Sequence, residues 1–164
     1  MRHLPALILV SLMLSACGLK PLYSGGSTGA VASTLGTVMV EPISGKNGWL
    51  MRNALNDRLG STQSASAKFR LVVALDDQIE GFGVRADDTV TRERRTLRAR
   101  YQLVSLTTGE TVLDATAGAD AGIDVVSSEY ATIAAEQTAL ENLAREVADR
   151  IVTTIALDLR RTGG

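Results

Sequence analysis

Lys68-Phe69-Arg70-Leu71-Val72-Val73-Ala74-Leu75-Asp76-Asp77-Gln78-Ile79 alternates along its length. Phe69, Leu71, Val73 and Leu75 fall on one side, and Arg70, Val72, Ala74, Asp76 and Gln78 on the other. Period-two patterning of this kind predicts a β-strand with one buried face. The reading extends outward in both directions. Glu80 to Asp88, with Gly81, Gly83 and Asp87-Asp88, reads as a turn. A second strand is expected from about Thr89 to Leu106, with Leu97, Ala99, Tyr101 and Leu103 inward and Arg92, Arg94, Thr96, Arg98, Arg100 and Gln102 outward. Thr107-Thr108-Gly109-Glu110 reads as a tight hairpin connection. Thr111 to Ile123 returns, with Leu113, Ala115, Ala117, Ala119 and Ala121 on one face, small enough for a helix backbone to lie close.

Upstream, Thr37-Val38-Met39-Val40-Glu41 reads as a short strand stopped by Pro42. Trp49 to Leu59 carries Met51, Leu55 and Leu59 at intervals of four, and Gly60 sits where a helix-ending glycine belongs. The lone tryptophan, Trp49, at the helix start, reads as a core anchor, with an exposed contact as the alternative. Downstream, Ser128 to Arg160 reads as one long helix, with Ser128 as N-cap and Ile133, Leu140, Leu143, Val147, Ile151, Ile155 and Leu159 as its apolar stripe. The order is strand, helix, three strands, helix. It predicts an α+β two-layer sandwich, a four-stranded mostly antiparallel sheet with two helices packed on one face, forming a single domain over residues 37–161.

The N-terminus is organised differently. Arg2 precedes Leu4 to Leu14, an apolar run of eleven residues, against about twenty needed to span a bilayer. The run ends in Leu14-Ser15-Ala16-Cys17. A charged start, a short apolar stretch and small residues read as a secretory signal peptide over residues 1–16, and the closing cysteine resembles the cleavage site of bacterial lipoproteins. That resemblance implies diacylglyceryl on the Cys17 thiol, cleavage before it, and acylation of the new amine; several acyl chains together anchor firmly where one does not. Gly18, and not an aspartate, follows the cysteine, which favours the outer membrane, facing the periplasm. Residues 17–36 read as the lipidated start and a flexible linker, from the run Ser24-Gly25-Gly26-Ser27-Thr28-Gly29-Ala30.

Processing would also remove chemistry. Loss of sixteen residues from the 164 leaves 148 with 16 basic and 18 acidic side chains, a slight acidic excess that gives no sign of nucleic-acid binding. His3 is the only histidine and would leave with the signal; Cys17 is the only cysteine and would be capped by lipid. No imidazole and no free thiol would remain. Disulfides, sulfur–nitrogen zinc sites and histidine-based acid–base chemistry are thereby excluded. No cofactor, no metal site and no enzymatic activity are expected.

Cys17-Gly18-Leu19-Lys20-Pro21-Leu22-Tyr23 resembles the start of the lipopolysaccharide-assembly lipoproteins of the LptE type, in the branch where the acylated cysteine is followed by glycine, two residues and Pro-Leu-Tyr. Length, element order and the long terminal helix agree. The resemblance implies an outer-membrane lipoprotein that plugs a large LptD-type β-barrel, helps it fold, and assists insertion of lipopolysaccharide into the outer leaflet. Lipopolysaccharide and that barrel are the expected partners, with the membrane reached through the N-terminal lipid. The rival reading is an auxiliary lipoprotein of an envelope transport complex that binds lipid or protein without a barrel. A third is a tether between envelope layers.

Two stretches are candidate contacts. Arg92, Arg94, Arg95, Arg98 and Arg100 crowd nine residues, and alternation places all but Arg95 on one outward face. Guanidinium groups suit bidentate binding of phosphate, which lipopolysaccharide carries. The alternative is a cross-strand charge ladder with Asp76, Asp77 and Glu80 opposite. Pro21, Leu22 and Tyr23 follow the lipid directly, with Tyr23 suited to a membrane interface or a barrel groove; a disordered leash is the plainer reading. Gly81-Phe82-Gly83-Val84 reads either as an apolar loop tip or as a tucked turn.

Overall fold

The computed structural model describes residues 30–60, 67–84 and 90–162. Its elements run α1 (Ala30–Leu35), β1 (Val38–Val40), α2 (Gly45–Leu59), β2 (Phe69–Val84), β3 (Val90–Ser105), β4 (Thr111–Asp124) and α3 (Glu129–Thr162). The strands form one sheet in the order β1-β2-β3-β4. β1 and β2 are parallel, joined through α2, while β2–β3 and β3–β4 are antiparallel. The fold is the expected α+β sandwich with a mostly antiparallel sheet.

Alternation decides the layers. Leu71, Val73, Leu97, Ala99, Tyr101 and Leu103 are buried under the helices. The stripe Leu140, Leu143, Val147, Ile151 and Ile155 on α3 meets them, together with Met51, Leu55 and Leu59 of α2. Along β4 the inward positions are chiefly alanines, of which Ala119 is buried, so α3 approaches the sheet closely there. α2 ends at Gly60, whose φ of 65° is left-handed and whose N–H donates to the Asn56 carbonyl at 3.1 Å; glycine takes that conformation without a Cβ penalty. The β3–β4 hairpin closes through Gly109 (φ 75°), whose N–H donates to Ser105 at 2.9 Å.

Four expectations need correction. The folded domain reaches back beyond residue 37: α1 is helical, and its Leu35 is buried in the core, so at least residues 30–36 are not linker. Small-residue composition misleads there because alanine favours helices when a leucine can dock. Residues 81–84 are not a turn. β2 continues to Val84, with Gly81 opposite Glu93 and Phe82 opposite Arg92, since the ladder to β3 keeps one register past the glycines and holds them in the strand. Ile133 is 53% exposed, because Thr132, 9% exposed and bonded to the Val126 N–H, takes the inward position in that turn of α3. Trp49 is 62% exposed and does not anchor the core. With Met51, Leu55 and Leu59 turned inward, a residue two before Met51 falls on the far side of a 3.6-residue helix. Cys17, Pro21, Leu22 and Tyr23, with the whole of 1–29, lie outside the described residues.

Candidate lipid- and partner-binding face

Both long helices lie on one side of the sheet, and among the described residues the other side carries no layer. β3 presents Arg92, Arg94, Arg98 and Arg100 to that open side, all exposed. Their situations differ. Arg92 Nε donates to Asp124 at 3.0 Å, and Arg100 is bound to both carboxylate oxygens of Asp114, at 3.2 and 3.0 Å. The hydrogen bond from Arg100, joined by one from Gln102, holds the Asp114 carboxyl below the usual carboxylate range, and the same contact raises Arg100. These two arginines form a ladder, but with β4 and not with the acids of β2.

Arg94 and Arg98 stand apart from it. The Arg94 guanidinium lies over the Phe82 ring, 5.4 Å from its centroid, a cation–π contact that leaves its N–H groups for other acceptors. Glu80 is opposite Arg94 in the register and Asp76 opposite Arg98, yet neither forms an ion pair with it among the described residues. Asp76 instead accepts from Gln78 at 3.1 Å. On the other flank Arg98 faces Gly118, where a Cβ would stand 3.2 Å from the Arg98 Cγ. The glycine lets the arginine lie low across β4 toward a cleft of about 160 Å³ that also meets Thr96, Asp120, Glu146 and Arg150.

Arg95 does not belong with the other four. Its odd position turns it under α3, where it and Asp77 are each 11% exposed and meet at 2.5 Å. Arg95 Nη1 also donates to the Glu136 carbonyl of α3 at 2.9 Å, and Asn47 of α2 donates to Asp77 at 2.5 Å. The bond to Asp77 raises the Arg95 guanidinium above its ordinary value, against the opposing effect of burial. Four elements thus converge on one buried ion pair, and Asp77 is no part of an open-face ladder. Alternation alone separates Arg95 from its neighbours; its partner is not legible from sequence.

On the helical side, a shallower groove of about 260 Å³ runs between α2 and α3 past Trp49, Asn53, Asp57, Glu141 and Arg145. Among the described residues no three metal-ligating side chains cluster, and no helix is long and apolar enough to cross a membrane.

Residues 35–155 match the model of the lipopolysaccharide-assembly family LptE. The chain belongs to that family. Solved structures of lipoproteins agree with the assignment. A lipoprotein from Caulobacter crescentus is 28% identical, with a TM-score of 0.68 over 79% of this chain and 96% of that one. The rare lipoprotein B of Shewanella oneidensis shares the fold at 12% identity, with a TM-score of 0.60 over 77% and 97%. A minor lipoprotein of Acinetobacter baumannii does so at 10% identity, with a TM-score of 0.56 over 74% and 89%. Comparison with curated proteins gives no match. As an LptE-family member the chain is an envelope lipoprotein of lipopolysaccharide assembly, and its described elements span nearly the whole length of these neighbours.

Proposed function

We propose that this protein is a non-enzymatic lipoprotein held by acyl chains on Cys17 at the periplasmic side of the outer membrane. There it partners an LptD-type β-barrel, and Arg94 and Arg98 contact phosphate groups of lipopolysaccharide. The family match over residues 35–155 carries the reading. Supporting it, the open sheet face presents two guanidinium groups with no carboxylate partner among the described residues, four positions and so about 13 Å apart along one strand. With the signal removed and the thiol acylated, the chain retains neither imidazole nor thiol for acid–base or nucleophilic work.

Depletion in cells, read by surface lipopolysaccharide and by folding of the barrel, tests the role. Both should fall together; normal surface glycolipid after depletion refutes it. Mild-detergent pull-down tests the partner. Recovery of a large barrel supports the reading, and recovery of an ATP-driven transporter supports the auxiliary-lipoprotein alternative instead.

A further inference from the structure

β4 ends the sheet, and among the described residues no strand covers its outer edge. The Gly118 carbonyl accepts a hydrogen bond from Arg150 of α3, which fixes its direction as outward, away from β3. Both main-chain polar groups of a residue in an antiparallel strand point the same way, and the direction alternates. The N–H and C=O groups of Asp114, Thr116, Asp120 and Gly122 therefore point outward too, while the odd-numbered residues between them bond β3. Val125, whose N–H donates to Thr91 at 3.0 Å, agrees with that alternation.

Proteins blunt such edges with lysine, proline, bulges or shortness, because an unpaired row of donors and acceptors recruits another strand. β4 has fourteen residues with no lysine, arginine or proline, and its one register shift lies at its start, opposite Leu103 and Val104. Its three aspartates do not guard it equally. Asp114 and Asp124 are bound by Arg100 and Arg92, which leaves Asp120 as the acid without a partner among the described residues. Arg150 covers a single carbonyl.

We propose that this edge accepts an extended strand from a protein partner, adding a fifth strand to the sheet. The occupant carries basic or hydroxyl side chains on the face it shares with Asp120. It carries small apolar ones on the alternate face, where Ala117 and Ala121 are only half-buried beside α3. Main-chain hydrogen bonds supply affinity in such strand addition, and alternate side chains supply selectivity. A second copy of this chain fits poorly. A two-fold axis at Asp120 opposes two carboxylates, and registers displaced from it leave Asp120 without a basic partner, since β4 carries no lysine or arginine. The inference goes beyond the barrel reading, since any partner with such a strand satisfies it.

Amide hydrogen exchange decides it, on the full lipidated chain in two forms: refolded alone in detergent, and drawn from solubilised envelopes with whatever it carries. Alone, the amides of Thr116, Gly118, Asp120 and Gly122 should exchange fast while those of Ala117, Ala119 and Ala121 are slow. In the envelope-derived form the even set should slow by at least about tenfold. Even amides that are already slow in the isolated chain, or still fast in the envelope form, overturn the proposal. Thr116→Pro removes an outward N–H that the monomer does not use, so the isolated chain should keep its melting temperature while the even-set protection is lost. Should that variant fail to fold, Asp120→Lys supplies the same comparison by charge. Protection that persists in the folded variant also overturns it. Identification of the co-purified protein bears separately on the barrel reading, so either can fail alone.

Discussion

Arg95 and Asp77 face each other at 2.5 Å beneath the third helix, each 11% exposed, and the same arginine reaches the Glu136 carbonyl. Neighbouring strands are joined through side chains to both long helices at one point. Arg95→Ala or Asp77→Ala strands the other charge in the interior, and each should cost about 3–5 kcal/mol. The double variant Arg95→Met/Asp77→Leu should recover most of that loss. Urea unfolding of the four proteins measures it; a cost below about 1 kcal/mol for both single variants would show that the pair does not fasten the fold.

Among the four open-face arginines of β3, Arg94 and Arg98 have no carboxylate partner among the described residues, while Arg92 and Arg100 do. Arg94→Glu/Arg98→Glu should weaken lipopolysaccharide binding by at least about tenfold, near 1.4 kcal/mol, with thermal stability nearly unchanged. Arg92→Gln/Arg100→Gln should weaken it far less, because those guanidinium groups are already engaged by Asp124 and Asp114. Binding of labelled glycolipid to the parent and the two double variants is the measurement. Equal losses in both pairs would point to general charge attraction instead of a site.

Gly48 sits in a helix, where alanine ordinarily gains about 1 kcal/mol. Here a Cβ would lie 2.5 Å from the Ile43 carbonyl oxygen and 2.6 Å from its carbon, so backbone must move. Gly48→Ala should therefore destabilise by about 2–3 kcal/mol, the range of a forced core rearrangement. A melting temperature at or above that of the parent would refute the close approach.

Arg58 of α2 is bound to both carboxylate oxygens of Asp149 on α3, and that hydrogen bond holds the Asp149 carboxyl below its ordinary value. A depressed folded-state carboxyl contributes stability that is present above the ordinary carboxylate range and lost as pH falls through the folded value. Asp149 is largely exposed, so solvent limits the contribution to at most about 1 kcal/mol. Asp149→Asn should be less stable than the parent near neutrality, and the two should converge in strong acid. Parallel stability curves across that range would count against the assignment.

Trp49 lies on the outer side of α2, and Trp49→Ala should change stability by no more than about 0.5 kcal/mol. A loss above 3 kcal/mol, typical of a buried tryptophan, would mean that its exposure is wrong.

Local periodicity determined a great deal of this protein without help. A two-residue alternation in β2, β3 and β4, and a four-residue spacing in α2 and α3, fix element types and buried faces, because side-chain direction follows from backbone geometry alone. The same alternation isolates Arg95 from Arg92, Arg94, Arg98 and Arg100. Chemistry is legible too, since the single histidine and single cysteine both fall within the first seventeen residues.

Only the tertiary structure decided who meets whom. The arginines of β3 have acids on both flanks, and sequence cannot say that β4, not β2, supplies the partners of Arg92 and Arg100. Nor can it show that Asp77, inward by the same alternation, meets Arg95, or that Arg150 bends to the Gly118 carbonyl across thirty-two positions. Strand register and helix placement bring those groups together across many positions of sequence, and a pairing at that range is set by how whole layers dock, not by neighbours along the chain. Trp49 and Leu35 make the same point from opposite sides. The large residue is left outside and the small-residue segment is drawn in, because the available core surface, and not hydrophobicity by itself, chooses what is buried.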